Sequence, residues 1–515
     1  MKNSWLLLIC FALPATAASA QNDFEAFKKK ESESLREFLS KEDAEFSDFL
    51  KREWKQFALS VADKPLVRPK PRETPVAPPR PDAPAADPAP REAPPSRSAP
   101  TRPPADVPAD APPTVPIPSR VPSASALPSS RPPLGAPSPV ELASSGNTMN
   151  TAFFGGLVPV PKVDLGLDPM PTPITGAAVS KFWEQINASK YADVLEALQR
   201  QRDRMQLGDW AFAQLAFRAG LDLTNGDSTL ARLVSWHFLV KSGYASRVGF
   251  NGSRLHVLLR TDEVLYGIPY FTIQNAKFYV LDLGSGIASR VGSIHTYERD
   301  HPEAKTSLSF HMKTLPLLPE NAESRTLAFA YKNQKYQINA SVNRNLIDFL
   351  TYYPQTQLNG YLDAEVPSSA MDALVAGLRP IIAGRSELEQ VDMVLRFVQT
   401  AFEYKTDGDQ FKREKWMFPE ETLFYPFSDC EDRAILFSYL VRKLIPSVTV
   451  VGLIYSDHVA TAVRFSSAVS GDTRMHKGVR YVVSDPTYIG ASVGMEMPQY
   501  KSATPNIVNA RPFGR

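Results

Sequence analysis

Residues 424–434 read FYPFSDCEDRA, and the cysteine in this segment stands where a helix is predicted to begin. From Cys430 to Lys443, apolar residues recur at helical spacing. Ser428 or Asp429 is placed to cap this helix. The exposed N–H groups and the dipole at a helix N-terminus favour a thiolate. Cys430 is therefore a candidate nucleophile.

Three runs typical of β-strands follow, at 448–455, 458–465 and 480–484. His458 opens the second run, and Asp485 comes directly after the third. Neighbouring antiparallel strands place these two ends side by side, and a helix packed on the sheet would bring Cys430 towards His458. A thiolate, an imidazole base and an orienting carboxylate are what nucleophilic acyl transfer requires. Taken singly, each residue also fits a structural role.

Three segments resemble the transglutaminase-like superfamily: DCEDRA at 429–434, DHVATAV at 457–463 and DPTY at 485–488. The resemblance covers residues 380–495 and is to an exported bacterial member. It implies an α+β, papain-like core, in which a helix packs on an antiparallel sheet. It also implies Cys430 as nucleophile, His458 as base and Asp485 as the residue that orients the base.

Four charged residues surround the candidate nucleophile: Asp429, Glu431, Asp432 and Arg433. They either orient substrate or support the structure, for example through an ion pair between Asp432 and Arg433. Cross-linking enzymes of the superfamily commonly have an aromatic residue where this chain has Glu431. This difference argues against protein cross-linking. Hydrolysis is expected instead, because water is abundant and the sequence shows no recognisable site for an amine acceptor.

A second, degenerate copy of the same unit is predicted within residues 147–295. Ser228 precedes His256 by 28 positions, as Cys430 precedes His458, and Asp282 follows His256 by 26 positions against 27 in the C-terminal unit. Ser228, His256 and Asp282 form the predicted degenerate site. The copy is expected to pack against, regulate or complete the cleft of the active unit; chance similarity is the alternative.

The first twenty residues read as a signal peptide. A positively charged start precedes an apolar run at 5–13, and Ala-Ser-Ala at 18–20 predicts cleavage after Ala20. The run is too short to span a bilayer, so no transmembrane segment is predicted. A lipid anchor at Cys10 is the alternative. The mature chain then carries one cysteine, and a secreted or periplasmic location is expected.

Residues 21–63 predict an amphipathic helix. Large apolar residues follow an eleven-residue repeat, which keeps one stripe on a nearly straight, coiled-coil-like helix; they are Phe24, Phe27, Leu35, Phe38, Phe46, Phe49 and Phe57. Self-association or docking through this stripe is the favoured interpretation, and packing on the protein's own body is the alternative.

Residues 64–146 predict a disordered, proline-rich tether, since 26 of the 46 prolines lie between 65 and 139. A spacer is the simplest interpretation, with PxxP-type docking as the alternative. Residues 296–370 predict a β-rich connecting region, with strands at 326–342, turning at 333–335, and at 357–366. Residues 371–515 form the predicted catalytic domain.

The remaining composition excludes several functions. A net charge of +2 argues against a nucleic-acid partner. The histidines lack metal-ligand spacing and the glycines lack a phosphate-binding context, so no metal or cofactor is predicted. The chain is therefore predicted to be an exported thiol enzyme. It would act on amide bonds of proteins or peptides, cell-wall peptides included, by hydrolysis rather than cross-linking. A catalytically inactive binding or assembly module, tethered through its N-terminal helix, is the alternative.

Overall fold

The computed structural model describes residues 38–64, 74–78, 147–286, 291–362, 364 and 368–510. The predicted signal peptide, residues 21–37 of the predicted helix and most of the predicted tether lie outside this part. The described chain mixes helices with sheets that are antiparallel except for the short β11–β12 pair, in agreement with the predicted α+β class. Within the described residues, no helix has both the length and the apolar character that a bilayer crossing needs.

The elements up to residue 296 form an N-terminal unit. Its helices are α1 (described over 38–50), α2 (Gly176–Ala188), α3 (Tyr191–Arg204), α4 (Asp209–Leu223) and α5 (Ser228–Lys241). Its strands are β1 (Lys55–Phe57), β2 (Thr148–Phe153), β3 (Gly156–Pro161), β4 (Ser246–Asn251), β5 (Arg254–Arg260), β6 (Tyr270–Ile273), β7 (Ala276–Val280) and β8 (Ile294–Thr296).

A connecting region and a C-terminal unit follow. Their helices are α6 (Arg344–Thr351), α7 (Leu358–Leu362), α8 (Ser369–Ile382), α9 (Glu387–Thr400), α10 (Asp407–Gln410), α11 (Pro419–Phe424) and α12 (Cys430–Leu444), with a 3₁₀ turn at Pro498–Tyr500. Their strands are β9 (Ala322–Tyr331), β10 (Gln334–Asn343), β11 (Glu403–Tyr404), β12 (Phe427–Ser428), β13 (Thr449–Ile454), β14 (Val459–Arg464), β15 (Thr473–His476), β16 (Val479–Ser484) and β17 (Asn506–Asn509).

The C-terminal sheet supports helix α12. Its strand order is β17-β13-β14-β16-β15, and every pair is antiparallel. Helix α12 packs on β13 and β14, and Leu436 and Leu440 share one apolar cluster with Val450 and Val463. Each such buried side chain stabilises the fold by about 1.5–3 kcal/mol. This packing fixes the start of α12, and so Cys430, near one end of the sheet.

The N-terminal sheet repeats the same topology. Its order, β1-β8-β4-β5-β7-β6, matches β17-β13-β14-β16-β15 from β8 onward. Helix α5 packs on β4 and β5 as α12 packs on β13 and β14, and each helix also packs on an earlier one, α4 or α9. An aspartate, Asp227 or Asp429, is the N-cap of each helix. The two units therefore share one helix-on-sheet arrangement.

The N-terminal helix is shorter than predicted and lies on the protein's own body. Helix α1 ends at residue 50, and Lys55–Phe57 pairs with β8, so the prediction of a helix reaching residue 63 is wrong. Phe46 is buried with edge contacts to Trp183, Tyr297 and His301. The eleven-residue pattern predicted one continuous helix, but the chain at Lys55–Phe57 pairs with β8 and Phe46 packs among aromatic rings of the same molecule. Of the stripe residues in the described part, Phe46, Phe49 and Phe57 contact the protein's own core, whereas Phe38 is exposed.

Two further predictions are settled by local geometry. The hairpin at 326–342 is confirmed as β9 and β10, which join through Lys332 and Asn333, both with positive φ. The strand predicted at 357–366 is wrong, because Leu358–Leu362 is helical and buries Leu358, Tyr361 and Leu362. Residues 74–78 of the predicted tether also depart from expectation, because they pair with the chain at Ile489.

Candidate active site

His458 and Asp485 form a buried pair. The His458 Nε2 atom lies 2.8 Å from Asp485 Oδ2, and both side chains are almost wholly inaccessible to solvent. Their proximity follows from the sheet. His458 ends the turn between β13 and β14, Asp485 follows β16, and β14 pairs with β16. The predicted meeting of these two strand ends is confirmed.

Backbone groups and one glutamine fix Asp485. Its Oδ1 accepts hydrogen bonds from the N–H groups of Thr487 at 2.9 Å and Tyr488 at 3.3 Å. Its carbonyl oxygen lies 3.1 Å from Gln399 Nε2, which also bonds the carbonyls of Tyr488 and Ala491. Gln399 is buried near the end of α9. The carboxylate facing His458 is therefore held by both its own turn and a neighbouring helix.

Cys430 is the first residue of α12, and Asp429 is its N-cap, as predicted. The thiol is buried, with 1% of the residue exposed, and its Sγ donates to Glu431 Oε2 at 2.8 Å. The Asp429 N–H donates to Asp432 Oδ2 at 3.1 Å, which ties the cap to the first turn. The thiol thus sits at the start of a helix and contacts a carboxylate.

Tyr500 links the cysteine to the histidine–aspartate pair. Its ring stacks on His458 with centroids 5.1 Å apart and planes at 13°. Burial, the charge and hydrogen bond of Asp457, and the nearby charges of Cys430 and Asp485 raise the pKa of Tyr500. Cys430 also shares an apolar cluster with Val459, the residue after His458. Cys430 and Asp485 thus lie within electrostatic range of Tyr500, whose ring stacks on His458.

The acidic residues near Cys430 bind backbone groups of a neighbouring loop. Asp429 Oδ2 accepts the Asp407 N–H at 3.3 Å, and Asp432 Oδ1 accepts the Met417 N–H at 2.9 Å. Asp407 Oδ2 in turn accepts the Lys415 N–H at 2.8 Å. These bonds hold the segment 407–417 against the start of α12. They support the structural interpretation of Asp429 and Asp432.

Three groups in the described chain have ligand atoms within 4.8 Å of one another: Asp407 with Asp429 and Asp432, Asp429 with Cys430 and Glu431, and Asp43 with His301 and Glu303. In the first group the carboxylates accept the backbone bonds above. In the third, Lys241 Nζ lies 2.7 Å from both Asp43 Oδ1 and Glu303 Oε2. Protein donors thus bind carboxylate oxygens in both groups.

Arg433 joins α12 to the end of α9. Its guanidinium donates to the carbonyls of Phe402 at 2.8 Å and Gln399 at 3.3 Å, and to Ser428 Oγ at 3.2 Å. Burial lowers its pKa to about 10. These contacts favour structural support over substrate orientation, and they connect the cysteine helix to Gln399, which holds the Asp485 turn.

The corresponding site of the N-terminal unit lacks the base–carboxylate pair. Ser228 is exposed at the start of α5. Asp282 accepts from Arg232 Nη2 at 3.2 Å and from the N–H and hydroxyl of Ser285, both at 2.9 Å. Among the described residues, no hydrogen bond joins His256 to Asp282. Burial, reinforced by the charges of Arg232 and Arg254, lowers the pKa of His256 to about 4.

Strand register explains this difference. Continuing the pairing of Leu258 with Val280 sets His256 opposite Asp282, whereas the pairing of Thr461 with Ser484 sets Ala460 opposite Asp485. The strand position of His458 therefore corresponds to Arg254. The hairpin turns match, because the Tyr455 N–H bonds the His458 carbonyl as Asn251 pairs with Arg254; the two extra residues of the C-terminal unit lie between Cys430 and Tyr455. The prediction that His256 is the counterpart of His458 is wrong by two residues.

Comparison with models of known protein families and with curated proteins finds no match for this chain. The chemistry of the site therefore has to be inferred from its geometry. Gln399 and Tyr500 were not predicted, because each comes from an element far along the chain from the motif that it contacts. A buried glutamine within an otherwise apolar helix face was the one available signal for Gln399.

Proposed function

We propose that the protein is an exported cysteine enzyme that cleaves amide bonds of proteins or peptides by acyl transfer. Its C-terminal unit would be a catalytic domain of the transglutaminase-like, papain-like kind. The carrying observation is the buried pair of His458 and Asp485 at 2.8 Å, beside Tyr500, which also interacts electrostatically with the helix-start Cys430. A histidine fixed by a carboxylate next to a helix-start thiol fits nucleophilic catalysis.

The chemistry follows from which imidazole nitrogen faces the carboxylate. Asp485 accepts the proton on Nε2, so the tautomer leaves the lone pair on His458 Nδ1. In the proposed reaction, Nδ1 takes the thiol proton of Cys430, and sulfur attacks the amide carbon. The C–N bond breaks, the amine leaves with the proton from Nδ1, and a thioester remains. Water then gives a proton to Nδ1 and attacks the thioester, releasing a carboxylic acid and the thiol.

The backbone N–H of Cys430, at the start of α12, is the proposed oxyanion donor. Glu431 distinguishes the resting state from the reacting one in this proposal. Its carboxylate accepts the thiol hydrogen in the structure, and the reaction requires that hydrogen to pass to His458 instead. Entry of a substrate carbonyl has to displace this contact and open a site whose residues are buried.

The shared topology of the two sheets supports a duplicated unit, with residues 147–295 as the degenerate copy. Because Arg232 occupies Asp282, we assign this copy a supporting role and not a serine-based reaction.

A second candidate is an inactive binding module. The burial of Cys430, His458 and Asp485 favours it, because no member of the set is open to solvent in this conformation. The two candidates predict different outcomes with an acyl probe. An enzyme forms a covalent adduct at Cys430 that is lost in Cys430→Ser; a binding module forms none.

The experiment uses an activity-based acyl probe on the full chain, followed by peptide mapping of the adduct and proteomic identification of processed targets. Asp282→Asn is the matched control, because it changes the equivalent residue of the degenerate site. The proposal is supported if Asp485→Asn abolishes labelling and Asp282→Asn does not. Equal labelling of Asp485→Asn and Asp282→Asn, or no labelling of the folded wild type, contradicts it.

A further inference from the structure

A short piece of the proline-rich segment binds the loop that carries Asp485. The Ala77 N–H donates to the Ile489 carbonyl at 2.7 Å, and the Ile489 N–H donates to the Pro75 carbonyl at 2.9 Å. Val76 and Ile489 thereby form a parallel bridge. Both backbone groups of Ile489 are satisfied by a segment more than four hundred positions away in the sequence.

The side chains of this segment alternate between the protein and solvent. Ala77 is 8% exposed and belongs to an apolar cluster that also contains Tyr455, Tyr488 and Tyr500. Val76 is 70% exposed. This inward–outward alternation is that of a bound strand. A small side chain occupies the inward position, and the outward position accepts a branched one.

The sequence TPVAP at 74–78 is suited to such binding. Thr74 and Ala77 each precede a proline, which biases both residues towards extended backbone. The contact is a single isolated bridge. An already extended segment loses little conformational entropy on binding.

The loop that receives the segment is held firmly from its other side. Gln399 bonds the carbonyls of Asp485, Tyr488 and Ala491, and Arg396 Nη2 donates to the Gly490 carbonyl at 3.2 Å. Helix α9 thus fixes the inner carbonyls, while the N–H and carbonyl of Ile489 face the bound segment. The loop is a preformed backbone edge, as in recognition by strand addition.

This edge lies next to the candidate catalytic residues. The loop begins at Asp485 itself. The cluster around Ala77 includes Tyr455 and Tyr500, whose rings stack with the His458 ring at 6.4 Å and 5.1 Å. An occupant of the edge therefore packs in the same apolar cluster as the two rings that stack on His458.

We propose that the Ile489 edge is a binding site for extended peptides with a small inward residue followed by proline, and that residues 74–78 of this chain occupy it in cis. The site is distinct from the acyl-transfer chemistry proposed above and does not require it. Cis attachment gives the segment an effective concentration on the order of millimolar. Peptides of the same pattern added from outside have to compete with it.

The test uses the full chain and a fluorescein-labelled peptide with the sequence of residues 73–80, followed by fluorescence anisotropy. Ala77→Arg replaces the small inward side chain by a long, charged one that the apolar cluster cannot accommodate, and so displaces the segment. Val76→Arg is the matched control, since Val76 points to solvent. A second displaced variant replaces residues 74–78 by glycine and serine and keeps the test valid if Ala77→Arg fails to fold. Binding is read without turnover, so a catalytically inert chain still gives a result.

We expect the displaced variants to bind the peptide at least about 10-fold more tightly than the wild type and Val76→Arg do. The same peptide with arginine in place of its alanine should not bind. Equal binding by displaced variants and wild type overturns the proposal. A wild-type dimer that Ala77→Arg converts to a monomer in light scattering assigns the segment to a second copy, and overturns the cis assignment.

Discussion

The imidazole of His458 is held at Nε2 by Asp485 Oδ2, 2.8 Å away, while Asp485 Oδ1 is occupied by backbone N–H groups. One oxygen of the Asp485 carboxylate thus binds the proposed base, and the other binds the backbone of the turn after β16. If the proposed chemistry holds, the loss of the Oδ2 acceptor has to change the preferred tautomer without unfolding the turn.

Asp485→Asn tests this division. The amide keeps an oxygen for Thr487 but places an N–H opposite Nε2, which favours the wrong imidazole tautomer. We expect kcat to fall by on the order of 10³-fold or more, with little change in melting temperature. Steady-state kinetics on a substrate found with the acyl probe measures it. Asp282→Asn should retain wild-type kinetics; comparable losses in both variants would refute the assignment of Asp485.

Phe46→Ala tests whether α1 packs on the protein's own core. Phe46 is 1% exposed among aromatic rings, so we expect the free energy of unfolding to fall by about 3–5 kcal/mol in urea denaturation. Phe38 on the same helix is 56% exposed, and Phe38→Ala should change stability by less than about 0.5 kcal/mol. If Phe46→Ala dissociates an oligomer and leaves stability unchanged, the stripe is an association surface after all.

The raised pKa of buried Glu420 makes the free energy of unfolding depend on pH. Burial raises its pKa to about 7, and the hydrogen bond from Ser368 offsets only part of this shift. The folded chain therefore retains a proton that the unfolded chain releases above its ordinary pKa of 4.5. The resulting stabilisation is complete below pH 4.5 and is lost as the pH rises through about 7.

Glu420→Gln removes this titration. We expect the variant to exceed the wild type in stability by roughly 3 kcal/mol at pH 8 and to match it within about 1 kcal/mol at pH 4, by chemical denaturation. Glu421→Gln is the control, because it leaves buried Lys415 without the carboxylate 2.6 Å away. That variant should lose about 3–5 kcal/mol at pH 8. A Glu420→Gln effect that is equal at both pH values would rule out the assigned titration.

Helical spacing and β-type runs in the sequence predicted correctly where the helix and strands of the candidate site begin and end. The helix start at Cys430 with its Asp429 cap, and the positions of His458 and Asp485 at strand ends, follow from helical spacing and β-type runs. The length of chain between a helix start and the following hairpin does not follow from such spacing. The two extra residues between Cys430 and Tyr455 therefore misled the comparison of His256 with His458.

Contacts between segments far apart in the chain could not be predicted from the sequence. Gln399 and Tyr500 act on Asp485 and His458 from other elements, and no periodicity records such contacts. The same holds for Ala77, whose proline-rich surroundings predicted only a tether. The apolar stripe of residues 21–63 was recognised, but its partner in the described part, the cluster around Trp183 and Tyr297, belongs to the same molecule.

The rate at which iodoacetamide alkylates Cys430 at pH 6 tests the central claim most directly. Under 1% of an ordinary thiol, with a pKa near 8.5, is ionised at this pH, whereas a thiol that transfers its proton to His458 reacts as a thiolate. We predict labelling of the folded chain at least about 10-fold faster than that of a free thiol. His458→Ala should slow it, and Asp282→Asn should not. Slow labelling of the folded wild type, with ordinary labelling after unfolding, would contradict the proposed nucleophile.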